Sequence, residues 1–204
     1  EKDILVTGAA TLDRKVANFA KDNNLGDFEF LSCIPGSIGG AIIMNSGCYD
    51  GDISKVLLSV NAIDTSKLSE IEIKKEDIKF SYRGTNLPDN LIIISAKFKG
   101  SICKKEEIEK KQFDFIERKK LSQPSKIKTC GSTFKNFSKD KKAWMLIKES
   151  GCENFREGDA MISQKHCNFF VNNGKAKSSD IENLIKKVKK RVHDRTGINL
   201  ELEI

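Results

Sequence analysis

The 204-residue sequence predicts an α+β protein in two parts, the first rich in strands and the second smaller. Three observations carry that expectation. Residues 56–63 and 91–98 are rich in β-branched side chains, the composition of half-buried strands. From residue 104 the sequence turns to mixed charge, opening Lys104-Lys105-Glu106-Glu107, which marks a solvated helix up to Leu121. Near the end, Ile181, Leu184, Ile185, Val188 and Val192 recur at helical spacing before Gly197. The predicted layout is a first domain over 1–102, a linker helix over 103–121 and a second domain over 122–204.

The remaining elements follow in order. Thr11 is expected to cap a helix whose Leu12, Val16, Phe19 and Ala20 share one face, with Gly26 just past its end. A glycine-rich stretch follows, Ile34-Pro35-Gly36-Ser37-Ile38-Gly39-Gly40-Ala41, running on to Met44-Asn45-Ser46-Gly47. Residues 67–79 are polar and read as an exposed turn and a further edge strand. After a loop with Pro124, residues 143–150 form a short amphipathic helix stopped by Gly151. Residues 168–172 read as a strand, and Asn173-Gly174 as a tight turn. Ser179 and Glu182 make a capping-box pattern for the last helix. Residues 198–204 close the sequence as a strand. No repeat or low-complexity segment is present.

Composition narrows the function classes. Hydrophobic residues are 38% and charged residues 32%, ordinary for a globular protein. No run reaches the roughly 18 apolar residues of a membrane span. The opening Glu1-Lys2-Asp3-Ile4-Leu5-Val6 lacks a signal peptide's basic start and apolar stretch, so a cytoplasmic, membrane-free location is expected. The net charge of +7 could serve nucleic acid, but the lysines are interleaved with acids rather than clustered. A positive field also attracts an anionic small molecule such as a nucleotide sugar. The six cysteines show no CxxC or zinc spacing, so free thiols are expected, with neither disulfide nor metal.

Four further segments carry chemistry, each beside a plainer reading. Dense glycines let backbone amides approach a ligand closely, yet could simply make a turn. The stretch is neither a dinucleotide fingerprint nor a P-loop, since no Lys-Ser/Thr follows. In Phe80-Ser81-Tyr82-Arg83, the arginine offers planar paired donors suited to a carboxylate, although most arginines are surface groups. Gly131-Ser132-Thr133-Phe134-Lys135-Asn136 holds a serine without a hydrolase elbow, ordinarily just a loop serine. Leu200-Glu201-Leu202-Glu203-Ile204 alternates like an edge strand with one wet face.

Together with Lys165-His166-Cys167-Asn168-Phe169, these segments resemble, in order, the motifs of the UDP-N-acetylenolpyruvoylglucosamine reductase family. The likeness covers nearly the whole sequence. It implies a partial FAD-binding domain of the vanillyl-alcohol-oxidase/PCMH type (its second lobe) followed by a smaller α+β substrate-binding domain. It also implies FAD as cofactor, NADPH as co-substrate and the enolpyruvyl ether of UDP-N-acetylglucosamine as substrate, in a monomer. Ile34, Pro35, Gly36, Ser37, Gly39, Gly40, Asn45, Ser46, Gly47 and Tyr82 fall where the family lines its flavin. Arg83 matches the arginine that binds the substrate carboxylate, Ser132 the proton donor, and Glu203 the second catalytic group, with Glu201 as fallback. Lys120, Lys135 and Asn136 fall at substrate positions, and His166 reads as a structural or supporting group. Phe137 stands where the family usually has proline. A tyrosine-bearing loop that some members insert over the substrate is not evident, which implies the shorter type. The family's Gly-x-Gly-Ser-Asn pyrophosphate loop does not occur before Gly8. Two alternatives stay open: another FAD oxidoreductase of this fold, and a basic binding module without catalysis.

Overall fold

In the computed structural model the described residues are 2–49, 51–138 and 140–204. They fall into two compact units, 1–119 and 120–204.

The first unit opens with β1 (Ile4–Gly8) and α1 (Asp13–Asp22), then a 3₁₀ turn over Glu29–Cys33. Next come α2 (Ile38–Ile43), the two-residue strands β2 (Gly47–Cys48) and β3 (Gly51–Asp52), and the single-turn α3 (Ile53–Val56). The long strands β4 (Leu57–Asp64), β5 (Ser69–Lys74) and β8 (Leu91–Lys99) frame a small hairpin, β6 (Phe80–Ser81) with β7 (Gly84–Thr85). An antiparallel sheet of order β1-β8-β4-β5 results, with β5 at an edge as the polar sequence of 67–79 predicts.

Helix α1 differs from expectation at its start. Leu12, not Thr11, occupies the cap position, and no side chain caps it. Its buried positions are Asp13, Val16, Ala17 and Ala20, whereas Leu12 and Phe19 are exposed. Small alanines let the helix lie close to the core, which displaces the bulky Phe19 to the surface. The chain reverses through Asn24 and Asp27, both with positive φ, rather than at Gly26. Inside, Phe28 and Phe98 meet edge to face at 6.2 Å, both almost fully buried. Such an aromatic pair adds about 0.5–1.5 kcal/mol beyond its burial. Helix α4 (Lys105–Ser122) covers this core with Ile108 and Phe115, and its buried Gln112 donates to the carbonyl of Ala17 (3.0 Å).

The second unit holds β9 (Lys128–Ser132), α5 (Ala143–Glu149), β10 (Arg156–Glu157), β11 (Ala160–Ile162), β12 (Phe169–Asn172) and α6 (Ser178–Thr196). Its antiparallel sheet has the order β10-β11-β12-β9. The predicted stripe of α6 buries Leu184, Val188 and Val192 against Phe134 and Phe170, and Gly197 ends the helix in the left-handed conformation. The cap is not Ser179 with Glu182. The helix begins two residues earlier, where the Asp180 carboxylate accepts the Lys177 amide (2.8 Å).

The closing strand over 198–204 is also corrected. Only Leu202 forms a β-bridge, to Phe134, flanked by Lys135 N to Glu201 O (2.9 Å) and Glu203 N to Thr133 O (3.0 Å). Just before it, Ile198 and Leu200 pack into the core instead of continuing the ladder, while Asn199 faces solvent.

Candidate functional site

Each unit assembles its own group of predicted residues. In the first unit the glycine-rich stretch is half turn and half helix. The Gly36 carbonyl accepts the Asp13 amide (3.0 Å), while Ile38 N and Gly39 N donate to Thr11 O (3.0 Å) and Ala9 O (2.9 Å). Helix α2 then carries Gly39 and Gly40. Close packing explains most of these glycines. A Cβ on Gly39 would lie 3.2 Å from the Cβ of Ala9, one on Gly36 2.9 Å from Asp13 Oδ2, and one on Gly47 2.6 Å from the Gly51 carbonyl. Gly40 alone has open space, with nothing within 4 Å of its missing Cβ.

The β6–β7 hairpin docks on the end of this stretch and presents Tyr82 and Arg83 as its two-residue loop. Asn45 makes the joint. Its Nδ2 donates to the Ser81 carbonyl (3.1 Å), and its Oδ1 accepts the Ser54 amide (3.0 Å). The Arg83 guanidinium lies 4.9 Å from the Tyr82 ring centre, and its Nη2 donates to the Gly47 carbonyl (3.3 Å). Arg83 holds φ at 56°, in the left-handed region that costs a non-glycine residue about 1–2 kcal/mol. Asn45, Gly47, Cys48, Tyr49, Tyr82 and Arg83 line one cleft of about 420 Å³. Among predicted residues, Ile34, Pro35, Gly36, Ser37, Gly39, Gly40 and Ser46 are not in its lining.

Two features here escape the sequence. Tyr49 packs against Phe115 at 5.0 Å, and the Arg118 guanidinium stacks 4.5 Å from its ring centre. Asp13 is fully buried at the start of α1, and neither carboxylate oxygen has a hydrogen-bond partner. Burial raises its pKa to about 6.

In the second unit Ser132 ends β9 opposite Phe169, just after Gly131 at φ 95°. Asn168 sets the serine loop. This buried side chain accepts the Phe134 amide (3.0 Å) and donates to the Phe134 carbonyl (2.8 Å), while its own carbonyl accepts Thr133 N (2.8 Å). In Lys165–Phe169 the sequence draws the eye to His166, whereas Asn168 is the residue that ties the loop. A buried asparagine directly before the apolar run Phe169-Phe170-Val171 was the available signal, since such a group must find partners. His166 packs edge-on to Phe169 at 4.9 Å, and burial lowers its pKa.

The bridge between 133–135 and 201–203 brings Glu203 within one residue of Ser132 along the paired backbone. Glu203 is half-buried, whereas Glu201 is exposed and pairs loosely with Lys135 (3.8 Å). The Asn136 Oδ1 accepts the Ala143 amide (3.1 Å), holding the start of α5. Lys120 is exposed, and its carbonyl accepts the Lys165 ammonium. Among the described residues no cluster of three His, Cys, Asp or Glu could hold a metal.

The fold and these motifs place the chain among α+β enzymes of one type. The computed fold superposes on the solved UDP-N-acetylenolpyruvylglucosamine reductase from Thermus caldophilus with a TM-score of 0.86 and 32% identity, covering 100% of this chain and 72% of that one. A family model described as the C-terminal domain of UDP-N-acetylenolpyruvoylglucosamine reductase matches residues 123–204. The reductase of Pelagibacter ubique is 47% identical over 204 residues, which are 99% of this chain and 67% of that protein. A Wolbachia relative from Drosophila simulans is 42% identical over 200 residues, 98% of this chain and 68% of the relative. The chain belongs to the UDP-N-acetylenolpyruvoylglucosamine reductase family.

Proposed function

We infer that this chain reduces the enolpyruvyl ether of UDP-N-acetylglucosamine to UDP-N-acetylmuramate, with NADPH as reductant and FAD as cofactor. The observation that carries the reading is the pairing of 133–135 with 201–203, which supports Ser132 and Glu203 as one catalytic group within a family of this activity.

The first unit is read as the second lobe of an FAD-binding domain. The exposed face of α2 fits a flat ring, because Gly40 leaves a side-chain-free surface there. When bound, FAD supplies hydride transfer between NADPH and substrate. Ile34, Pro35, Gly36, Ser37, Gly39, Gly40, Asn45, Ser46, Gly47 and Tyr82 would line it. Arg83, preset in its turn, binds the substrate carboxylate and stabilises the charge that builds beside it as hydride arrives. The Ser132 hydroxyl gives its proton to the carbon bearing that carboxylate, completing addition across the double bond. Glu203 supports the serine end, and Lys120, Lys135 and Asn136 hold the nucleotide diphosphate.

NADPH consumption with FAD present, with and without the enolpyruvyl nucleotide sugar, tests the reading. Substrate-dependent oxidation is expected from a chain extended at its N-terminus to the length of its relatives. Salt-sensitive nucleic-acid binding with no flavin dependence would overturn it in favour of a basic binding module.

A further inference from the structure

Two of the six cysteines lie fifteen positions apart in sequence and meet in the fold. Cys33 ends the 3₁₀ turn and is only 6% exposed, while Cys48 ends β2 and lines the Arg83 cleft. The β2–β3 hairpin rests directly on that turn, since a Cβ on Gly51, the pairing partner of Cys48, would lie 2.7 Å from the Phe30 ring. Cys48 packs against the buried cluster that contains Cys33, and each thiol shifts the titration of the other. Ser32 Oγ stands 3.8 Å from Cys33 Sγ, and the Lys119 ammonium bonds the Cys33 carbonyl.

This environment differs from that of the other thiols. The neighbouring Cys48 thiol is the main influence holding the Cys33 thiol down, at about 6, against the opposing effect of its burial. Ser32 and Lys119 act in the same direction, and the Cys48 proton is held correspondingly tightly. Burial pushes Cys152 up to about 11 and raises Cys167, and Glu107 raises Cys103.

We propose that Cys33 and Cys48 are an oxidisable dithiol, a modification site that closes to a disulfide under hydrogen peroxide and reshapes the Arg83 cleft. The Cys33 thiolate attacks one peroxide oxygen, becomes a sulfenic acid and releases hydroxide, which takes up a proton to leave as water. The Cys48 sulfur then attacks the Cys33 sulfur, expelling a second water as its own proton leaves with the hydroxyl. Two thiols are oxidised to one disulfide while one peroxide is reduced to two waters. Closure brings the two sulfurs to about 2.05 Å. That pulls on β2, where the neighbouring Gly47 carbonyl accepts Arg83 Nη2. The oxidised pair thereby withdraws the acceptor that orients the arginine. A dithiol reductant reverses the step. The proposal stands on unit 1 alone and is independent of which substrate the cleft takes.

Peptide mapping of the native full chain tests it. The chain is exposed to peroxide, alkylated, digested and analysed by mass spectrometry. The expected product joins the Cys33 and Cys48 peptides, is lost after reduction, and forms roughly tenfold or more faster than any oxidation of Cys152. In the Cys48→Ser variant, dimedone should trap a sulfenic acid on Cys33. Recovery of Cys33 and Cys48 as alkylated thiols while Cys130 oxidises would overturn the proposal. So would a Cys48→Ser protein of unchanged melting temperature that gives no trapped sulfenic acid. The mapping needs neither cofactor nor substrate, so its failure leaves the reductase reading intact, and the reverse holds too.

Discussion

The two units hold their functional side chains by opposite means. Around the first cleft, three residues with positive φ (Asn45, Tyr49 and Arg83) stand among six non-glycine cases among the described residues of the unit. Local strain is concentrated where the arginine is presented and is held by bonds such as those of Asn45. The second unit uses ordinary strand pairing and one buried asparagine around its serine, with Gly131 supplying the single unusual turn conformation beside it. The difference teaches that preorganisation can come from strained turns that are locked in place, or from unstrained backbone tied to distant partners. The first design should tolerate relief of strain, and the second should fail when a distant tie is cut.

The largest effect tests the serine. Ser132→Ala should slow substrate reduction by roughly 10²- to 10⁴-fold while NADPH still reduces bound flavin, as stopped-flow absorbance would show. Normal turnover in that variant would remove Ser132 from the mechanism.

Asp13 gives the next largest effect. Its folded pKa is raised from 3.8 to about 6, so the folded state binds the proton more tightly than the unfolded chain does. Stability is therefore fully present below about 4 and falls as pH rises toward and through 6. About 2–3 kcal/mol is at stake. Urea titrations from pH 4 to 8 should show this decline in the natural sequence and a flatter profile in Asp13→Asn. Parallel profiles would mean that Asp13 finds a partner.

Cutting the distant tie comes third. Asn168→Ala leaves the Phe134 amide and carbonyl without their partner and should cost about 1–3 kcal/mol, read from thermal melting. The smallest effect on stability has the opposite sign. Arg83→Gly should raise stability by up to about 1 kcal/mol through release of the left-handed strain while abolishing substrate reduction. A clear loss of stability in Arg83→Gly would erase the contrast between the two designs.

Much of the framework was legible in the sequence. Strands β4 and β8 announce themselves by their β-branched composition, helix α4 by its mixed charge and helix α6 by its apolar stripe. Strand β1 was passed over, its Ile4-Leu5-Val6 having been weighed only as an export signal. The paired dipeptides β2–β3 and β6–β7 have no period at all and exist only because tight turns bring their ends together. The family likeness singles out Arg83 and Ser132 but not what holds them. The bonds of Asn45 and Asn168 depend on which distant backbone groups lie opposite, and local patterning carries no record of that. The final segment misled for the same reason. Its alternating Leu and Glu promise a full strand, yet among the described residues it pairs through the single bridge of Leu202 to Phe134.

That short partner has a consequence for the order of biosynthesis. Residues 133–135 leave the ribosome well before 201–203, and about 65 residues separate the two halves of the ladder. During that interval the nascent serine loop has its glycine turn but no opposing backbone, because loop closure must precede the contact it rewards. Competence of the second unit thus waits until residues 201–203 have emerged.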